Sequence, residues 1–154
     1  RLSEKQHQKI WQKLKNRNVS IKIAIPPHQV FFFRPVELIQ VLTNLIGNAL
    51  DAVSELEPDS ERWIEVAAEP TASSRLRISV RNGGPKIPDA IAQRIGTPFF
   101  TTKPPGSGTG LGITIVQKLA RENDAQFGID RGGDHTCFYI EGQTDGPAVS
   151  STSA

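Results

Sequence analysis

Apolar residues recur along the chain with two different periods, which together predict a mixture of strands and helices. Several short runs alternate apolar and polar residues, or are rich in β-branched and aromatic side chains, as strands with one buried face are. These runs are SIKIAI (20–25), QVFFF (29–33), RWIEVAAE (62–69), RLRISVR (75–81), AQFGIDR (125–131) and HTCFYIEG (135–142). Gly132 and Gly133 separate the last two runs, which therefore predict a terminal hairpin.

Apolar residues three or four positions apart predict helices between the strands. The longest predicted helix runs from Val36 to Leu56 and is ended by Pro58. Its predicted buried face comprises Leu38, Leu42, Leu45, Ile46, Ala49 and Val53. Further helices are predicted at 3–17, 89–95 and 109–123.

The predicted fold class is α+β, because the last two strands meet in a hairpin rather than across a helix. We expect a mixed, largely antiparallel sheet with the helices packed on one face. The length of 154 residues allows one domain with a substantial core.

The composition is that of an ordinary globular domain. Hydrophobic residues make up 37% and charged residues 22%, and the net charge of +2 gives no reason to expect binding to nucleic acid. No continuous apolar run approaches the roughly 20 residues that cross a bilayer, and no signal peptide opens the chain. We therefore expect a cytoplasmic location and no direct membrane contact from this chain.

Cysteine and methionine usage adds two expectations. Cys137 is the only cysteine, so no internal disulfide can form, and its apolar surroundings predict a buried structural thiol. The chain contains no methionine, even at position 1, which predicts that it is a piece of a longer protein.

A polar stripe runs along the predicted helix 36–56. Asn44, Asn48 and Asp51 recur at i, i+4 and i+7, opposite the apolar face. A solvated face is the commoner explanation, yet Asn and Asp are weak helix formers that each cost up to ~0.7 kcal/mol relative to Ala. Short amides and a carboxylate one turn apart suit a hydrated Mg²⁺ and phosphate oxygens. The stripe alone leaves both interpretations open.

A second candidate site lies in PFFTTKPPGSGTGLGITIVQKLA (98–120), whose glycine spacing matches neither a P-loop nor the dinucleotide fingerprint. Gly108, Gly110 and Gly112 lead into a helix whose free N–H groups and positive dipole end can receive phosphate. Lys103 precedes them as a flexible point charge. A flexible linker is the alternative, although three glycines there cost roughly 1 kcal/mol each relative to Ala.

The third candidate site is VRNGGPKIP (80–88), at the end of a predicted strand. Gly83, Gly84 and Pro85 predict a tight turn, and Ile87 offers an apolar wall. Without the other two segments, an ordinary turn between a strand and a helix would be the preferred interpretation.

Taken together, the three segments resemble the ATP-binding domain of sensor histidine kinases, within the wider group that contains gyrase, Hsp90 and MutL. NLIGNALDAV (44–53) is similar to the nitrogen box, and RNGGPKIP (81–88) to the first glycine box. GTPFFTTKPPGSGTGLGITIVQKLA (96–120) is similar to the phenylalanine and second glycine boxes. The order and spacing match over about residues 19–141, and TPFFTTK…GTGLG favours a sensor kinase over gyrase-like relatives.

The resemblance implies a two-layer α/β sandwich in which ATP lies between the two long helices under a lid formed by residues 97–108. Asn48 would coordinate Mg²⁺, and Asn44 would stand where hydrolysing relatives carry a glutamate base, so that ATP survives until a protein acceptor arrives. Lys103 would neutralise charge that develops on the γ-phosphate, so the implied catalytic residues are Asn44 and Lys103. The implied ATP-binding residues are Asn48, Asp51, Asn82, Gly84, Ile87, Thr102, Lys103, Gly108, Thr109, Gly110, Leu111, Gly112 and Thr136.

Three residues depart from the family pattern. Asn82 replaces an aspartate whose carboxylate accepts a hydrogen bond from the adenine amino group, and Lys86 replaces a glycine. An amide oxygen still accepts but lacks charge assistance, so adenine recognition should be weakened rather than lost. Arg34 replaces a commonly acidic residue before the nitrogen-box helix, with little expected consequence.

The resemblance also implies a domain organisation and partners. Residues 1–18 would be a connecting helix from an absent dimerisation and phosphoacceptor domain, 19–142 the catalytic domain, and 143–154 a disordered tail. None of the 3 histidines lies in an acidic acceptor motif, so the γ-phosphoryl would pass to a histidine of the absent domain. A full-length homodimer and a downstream response regulator would be the partners. Whether the longer protein is anchored in the inner membrane stays open.

Two other functions stay open on the sequence. Asn82 and Lys86 favour a degenerate nucleotide-binding or interaction module without phosphotransfer, whereas the complete nitrogen box, Lys103 and GTGLG (108–112) favour a kinase. A gyrase- or MutL-like ATPase is disfavoured by Asn44 and by the short length.

Overall fold

The computed structural model describes residues 18–95 and 112–145, together with Gln8. The predicted helix at 3–17, apart from Gln8, lies outside these residues, as do the lid at 97–108 and most of the predicted tail. Within them the chain forms strands β1 to β5 and helices α1 to α3. In chain order these are β1 Ser20–Ala24, α1 Pro35–Ser54, β2 Trp63–Ala72, β3 Arg75–Pro85, α2 Asp89–Arg94, α3 Gly112–Glu122, β4 Gln126–Ile129 and β5 His135–Gln143.

The strands form one mixed sheet in the order β1-β2-β3-β5-β4. β1 runs parallel to β2, across the connection that contains α1, and the other neighbouring pairs are antiparallel. The predicted α+β class and the largely antiparallel sheet are therefore confirmed, as is the terminal hairpin of β4 and β5.

The inner face of the sheet is the face that α1 and α3 cover. Successive side chains of a strand alternate between the two faces, and on β3 the buried set is Leu76, Ile78, Val80, Asn82 and Gly84. The first three contribute to the hydrophobic core, and the row then ends in a polar side chain and a glycine. The core therefore leads directly into the third candidate segment.

Helix α1 supplies much of the core from the opposite layer. Its fully buried residues are Val41, Leu45, Ala49, Leu50 and Val53. Each fully buried Val or Leu contributes about 1.5–3 kcal/mol relative to an exposed one. The predicted Leu38, Leu42 and Ile46 only pack at the margin of the core. The buried stripe is broader than predicted, because it includes Val41 and Leu50.

The predicted strand at 29–33 is wrong. Phe32 N–H donates to the carbonyl of Gln143 at 2.8 Å, but residues 29–33 form no strand. Phe31 and Phe33 instead stack with ring centroids 5.5 Å apart, and Phe33 is buried in the core. Phe31 and Phe33 therefore pack against the core beside the sheet, and this packing outweighs the β propensity of the segment.

Two predicted loops belong to the sheet instead. The predicted loop PTASS (70–74) is mostly strand, since β2 continues to Ala72 and the chain turns at Ser74, with φ 58°. The tight turn predicted at Gly83–Pro85 is also wrong. These residues end β3, and Pro85 pairs with His135 after an irregularity in the ladder. Pairing with β5 overrides the local turn preference of glycine and proline.

The outer face of the sheet carries charged side chains and the cysteine. Glu141 pairs with Arg75 at 3.3 Å and with Arg77 at 3.1 Å. Cys137 is buried as predicted, and burial raises the pKa of its thiol to about 11. Since the thiolate is the reactive form, this cysteine should be inert at neutral pH.

Among the described residues, α1 alone is long and apolar enough to cross a membrane by length and composition. The core helix of a globular domain meets the same criteria, and α1 packs its apolar side on the sheet.

Candidate functional site

The polar stripe of α1 lies at the flank of its buried face and not opposite it. Asn44, Asn48 and Asp51 are all half-buried. The Asn44 side chain donates through Nδ2 to the carbonyl of Gly112 at 3.5 Å. The stripe therefore runs past the point where α3 begins, and the simple explanation of a fully solvated face does not hold.

The start of α3 has the features of an anion site. Gly112 is its first described residue, and a Cβ built on it would meet nothing within 4 Å. The first turn of α3 carries no acidic side chain. Because the first N–H groups of a helix lack intrahelical partners and face the positive dipole end, this position suits phosphate oxygens.

The end of β3 contributes a buried amide. Asn82 is only 2% exposed, and its Oδ1 accepts a hydrogen bond from Gly84 N–H at 2.8 Å. A Cβ built on Gly84 would lie 2.8 Å from that oxygen and 4.0 Å from the Cβ of Ala52 on α1. Glycine is therefore required at position 84 for the amide to take this position against the helix.

Strand β5 fixes the same segment from the other side. Thr136 is buried and donates through Oγ1 to the carbonyl of Pro85 at 2.7 Å. His135 Nδ1 lies 3.1 Å from the carbonyl oxygen of Gly84, and because a carbonyl only accepts, the ring nitrogen donates. The His135 ring also meets Trp63 edge-on, with centroids 5.2 Å apart. Thr136 thus lies beside the first-glycine segment.

Two neighbouring side chains, Ile87 and Lys86, differ in their exposure. Ile87 is half-buried and packs against the core, as expected of an apolar wall. Lys86 is exposed, so it does not take the buried position in which it would crowd a ligand.

Together these elements form a site with two ends along α1. Asn44 lies at the start of α3, and Ala52 lies near Gly84 at the strand end. Eight residues of helix correspond to about 12 Å, which leaves room for an extended ligand with an anionic end near Gly112. The structure thus brings the first and third candidate segments to the same side of the sheet.

Part of the predicted site lies outside the described residues. These predictions are Thr102, Lys103, Gly108, Thr109, Gly110 and Leu111. Within the described ranges, no group of three or more His, Cys, Asp or Glu side chains could hold a metal ion.

Sequence reasoning missed His135 and Trp63. His135 binds the backbone carbonyl of Gly84. Trp63 packs closely on Gly83, since a Cβ built there would lie 2.7 Å from Trp63 Nε1. The two side chains come from different strands, so no local spacing connects them with the glycines. Only the adjacency of His135 to Thr136 offered a signal.

The sequence matches the family described as histidine kinase-, DNA gyrase B-, and HSP90-like ATPases over residues 34–144. It is 30% identical over 119 residues to the sensor protein TdiS of Thauera aromatica, covering 76% of this chain and 21% of that protein. It is 32% identical over 136 residues to the sensory histidine kinase/phosphatase NtrB of Rhizobium leguminosarum bv. phaseoli, covering 80% and 35%. The chain thus spans about a fifth to a third of the length of these relatives.

A solved structure shows the same likeness in three dimensions. The catalytic domain of the histidine kinase ThkA superposes with a TM-score of 0.74 at 26% identity, covering 91% of this chain and 88% of that one. The resemblance drawn from the three segments is therefore confirmed, as is the fold. The similarity is to the ATPase-type catalytic domain of two-component sensor kinases, and none of the similar proteins named here supports an interaction module without phosphotransfer.

Proposed function

The chain belongs to the family of histidine kinase-, DNA gyrase B- and HSP90-like ATPases, and we propose that it binds Mg·ATP and transfers the γ-phosphoryl group to a protein histidine. The observation that carries the proposal is the contact between Asn44 and the carbonyl of Gly112. That contact sets the amide and carboxylate stripe of α1 beside the N-terminal turn of α3, where phosphate oxygens are best received.

Asn44 supports transfer to a protein acceptor rather than hydrolysis. Its amide donates to the Gly112 carbonyl and cannot take a proton from water at neutral pH. A water molecule beside the γ-phosphate would therefore lack a general base at this position. ATP would persist until the acceptor histidine arrives.

The polar stripe fits a hydrated Mg²⁺. Asn48 would hold the ion through its amide oxygen, with Asp51 close by on the same half-buried flank. Magnesium takes few protein oxygens and keeps several waters, so one amide is sufficient when phosphates supply further ligands. When bound, Mg²⁺ would neutralise charge on the phosphates.

The remaining roles follow from the family resemblance. Lys103 would neutralise charge on the γ-phosphate, and Thr102 would contribute from the same lid at 97–108. The predicted phosphate cradle comprises Gly108, Thr109, Gly110, Leu111 and Gly112. The predicted base end comprises Asn82, Gly84, Ile87 and Thr136.

The acceptor would be a histidine of the same protein's dimerisation domain, in a full-length homodimer. We expect a response regulator downstream, a cytoplasmic location for this domain, and no autophosphorylation by the chain alone. Residues 1–18 would connect to the acceptor domain.

Calorimetric titration tests the binding step. A non-hydrolysable ATP analogue should bind the chain with micromolar affinity when Mg²⁺ is present, and Asn48→Ala should abolish the magnesium-dependent part. Because Ala favours helix more than Asn, the circular dichroism of this variant should be unchanged. Gln40→Ala, on the exposed side of the same helix, is the matched control and should bind normally.

Two results would count against the proposal. Retained magnesium-dependent affinity in Asn48→Ala would overturn the metal assignment, and absence of binding by the unmodified chain would overturn the nucleotide site. For the transfer step, the longer protein should form an acid-labile phosphohistidine from ATP, and Asn48→Ala should lose it.

A further inference from the structure

The orientation of the Asn82 amide is fixed by its surroundings. The atom that faces Gly84 N–H at 2.8 Å must be the oxygen, because a backbone N–H needs an acceptor. A reversed amide would place two donors against each other. Oδ1 also packs directly on the glycine, since a Cβ at position 84 would lie 2.8 Å away.

The backbone that binds this oxygen is itself held in place. His135 donates to the carbonyl of Gly84 at 3.1 Å, and Thr136 donates to the next carbonyl, that of Pro85, at 2.7 Å. These bonds hold the two peptide groups that follow Gly84, so the residue whose N–H binds Oδ1 is anchored on its C-terminal side. The amide oxygen of Asn82 is therefore committed to the protein before a ligand arrives.

The other half of the amide is still available. In a planar amide Nδ2 lies on the opposite side of Cγ from Oδ1, so it points away from Gly84. Across residues 18–95 and 112–145, the Asn82 side chain makes no hydrogen bond besides the one to Gly84 N–H. The residue is only 2% exposed, but Nδ2 is not one of the fully buried, unpaired side-chain atoms of the described residues, so this donor stays accessible to a ligand.

We infer that Asn82 presents a hydrogen-bond donor to the base, and that the pocket therefore takes 6-oxopurine triphosphates at least as well as ATP. Adenine carries an amino donor at C6, which would face the donor of Asn82. Hypoxanthine and guanine carry a carbonyl oxygen there, which accepts from it. The inference rests on the proposed function and concerns which nucleotide occupies that site.

Inosine triphosphate is the sharpest probe, because it differs from ATP only in the 6-oxo group and the N1 proton that comes with it. Dissociation constants for ATP and ITP are measured by calorimetry with Mg²⁺ and the whole chain. The unmodified protein should bind ITP at least as tightly as ATP. Asn82→Asp replaces the donor by an acceptor and should shift the ratio of the two constants toward ATP by about tenfold or more.

A control variant separates this local effect from added charge. Gln126→Glu adds the same charge on β4, at the edge of the sheet, and should leave the ratio unchanged. If Asn82→Asp fails to fold, as judged by circular dichroism, the ratio in the unmodified protein decides the question alone.

The outcomes distinguish the two proposals. ATP that binds tenfold or more tightly than ITP in the unmodified protein would overturn the inference and leave the proposed function intact. An unchanged ratio in a folded Asn82→Asp would remove Asn82 from base selection. Failure of both triphosphates to bind would overturn the proposed function and the inference with it.

Discussion

Asn82 and Asn123 are both buried asparagines, 2% and 8% exposed, but the protein uses their amides differently. The Oδ1 of Asn123 accepts from Arg34 N–H at 2.9 Å. Its Nδ2 donates to the Leu119 carbonyl at 2.8 Å and to Glu37 Oε2 at 2.9 Å. Both halves of that amide are bound by protein, whereas Asn82 has only its oxygen bound, to Gly84 N–H.

The difference separates a structural amide from one available to a ligand. Asn123 lies just after α3 and ties it to the start of α1, and Arg34 adds a hydrogen bond to the carbonyl of Glu122 at 3.2 Å. Arg34, for which we expected little consequence, is part of this connection. A buried polar group is usually paired, so a half-paired amide beside a glycine segment is better explained by binding than by folding.

The largest predicted effect comes from Asn123→Ala. The change removes three hydrogen bonds, two of which join the end of α3 to the start of α1, and should lower the free energy of unfolding by about 2 kcal/mol. Urea denaturation measures the loss. The ratio of ATP to ITP affinity should not change, because the residue is remote from the glycine segment. A loss below about 0.5 kcal/mol would show that water replaces these bonds and would end the structural assignment.

Asn82→Ala provides the comparison. Only the Gly84 N–H loses its partner, because Nδ2 has none among the described residues, so the loss of stability should be less than about 1 kcal/mol. The same variant should abolish the preference between ATP and ITP. If its loss of stability equals that of Asn123→Ala, the two amides are not used differently.

The sequence predicted the elements better than their boundaries. Periodicity identified α1 and the strands, because burial of one face imposes its period on the chain. The turn predicted at Gly83–Pro85 was wrong, since local chemistry could not show that β5 would pair with it. The strand predicted at 29–33 was wrong, because Phe31 and Phe33 stack on each other and pack against the core.

The candidate site shows the same limit. Asn44, Asn82 and Thr136 were identified from the sequence, but the orientation of the Asn82 amide depends on a hydrogen bond that no residue pattern specifies. No sequence pattern pointed to Asn123, because its partner Arg34 lies 89 residues away in the chain. Contacts of that range arise only from the packing of α1 against α3.

A smaller effect is expected from Gly84→Ala, which displaces the Asn82 side chain but keeps the asparagine itself. The new Cβ would lie 2.8 Å from Oδ1, so the side chain must shift, at a cost of about 1 kcal/mol. The preference for ITP should be lost with it. Gly133→Ala is the matched control, since nothing lies within 4 Å of its Cβ, and it should change neither stability nor selectivity. A retained preference in Gly84→Ala would mean that Oδ1 is not committed to this glycine.

The smallest effect is a difference in acid sensitivity between the two amides. Hydrogen bonds from Arg34 and then from Asn123 hold the pKa of Glu37 below its ordinary value of 4.5. A lowered pKa contributes stability that is present above about pH 4.5 and is lost as the pH falls through the folded value. Asn123→Ala removes part of this shift, so its deficit in unfolding free energy should be greater at about pH 6 than at about pH 3.

Asn82→Ala should show no such dependence, because its partner is the backbone N–H of Gly84, which does not titrate in this range. Glu141 titrates in the same window. Burial would raise its pKa, but hydrogen bonds from Arg77 and Arg75 outweigh burial and hold the pKa below its ordinary value. This contribution is common to all variants and cancels in the difference. Urea denaturation of the three proteins across that range tests the distinction, and parallel pH profiles would show that Asn123 does not act on Glu37.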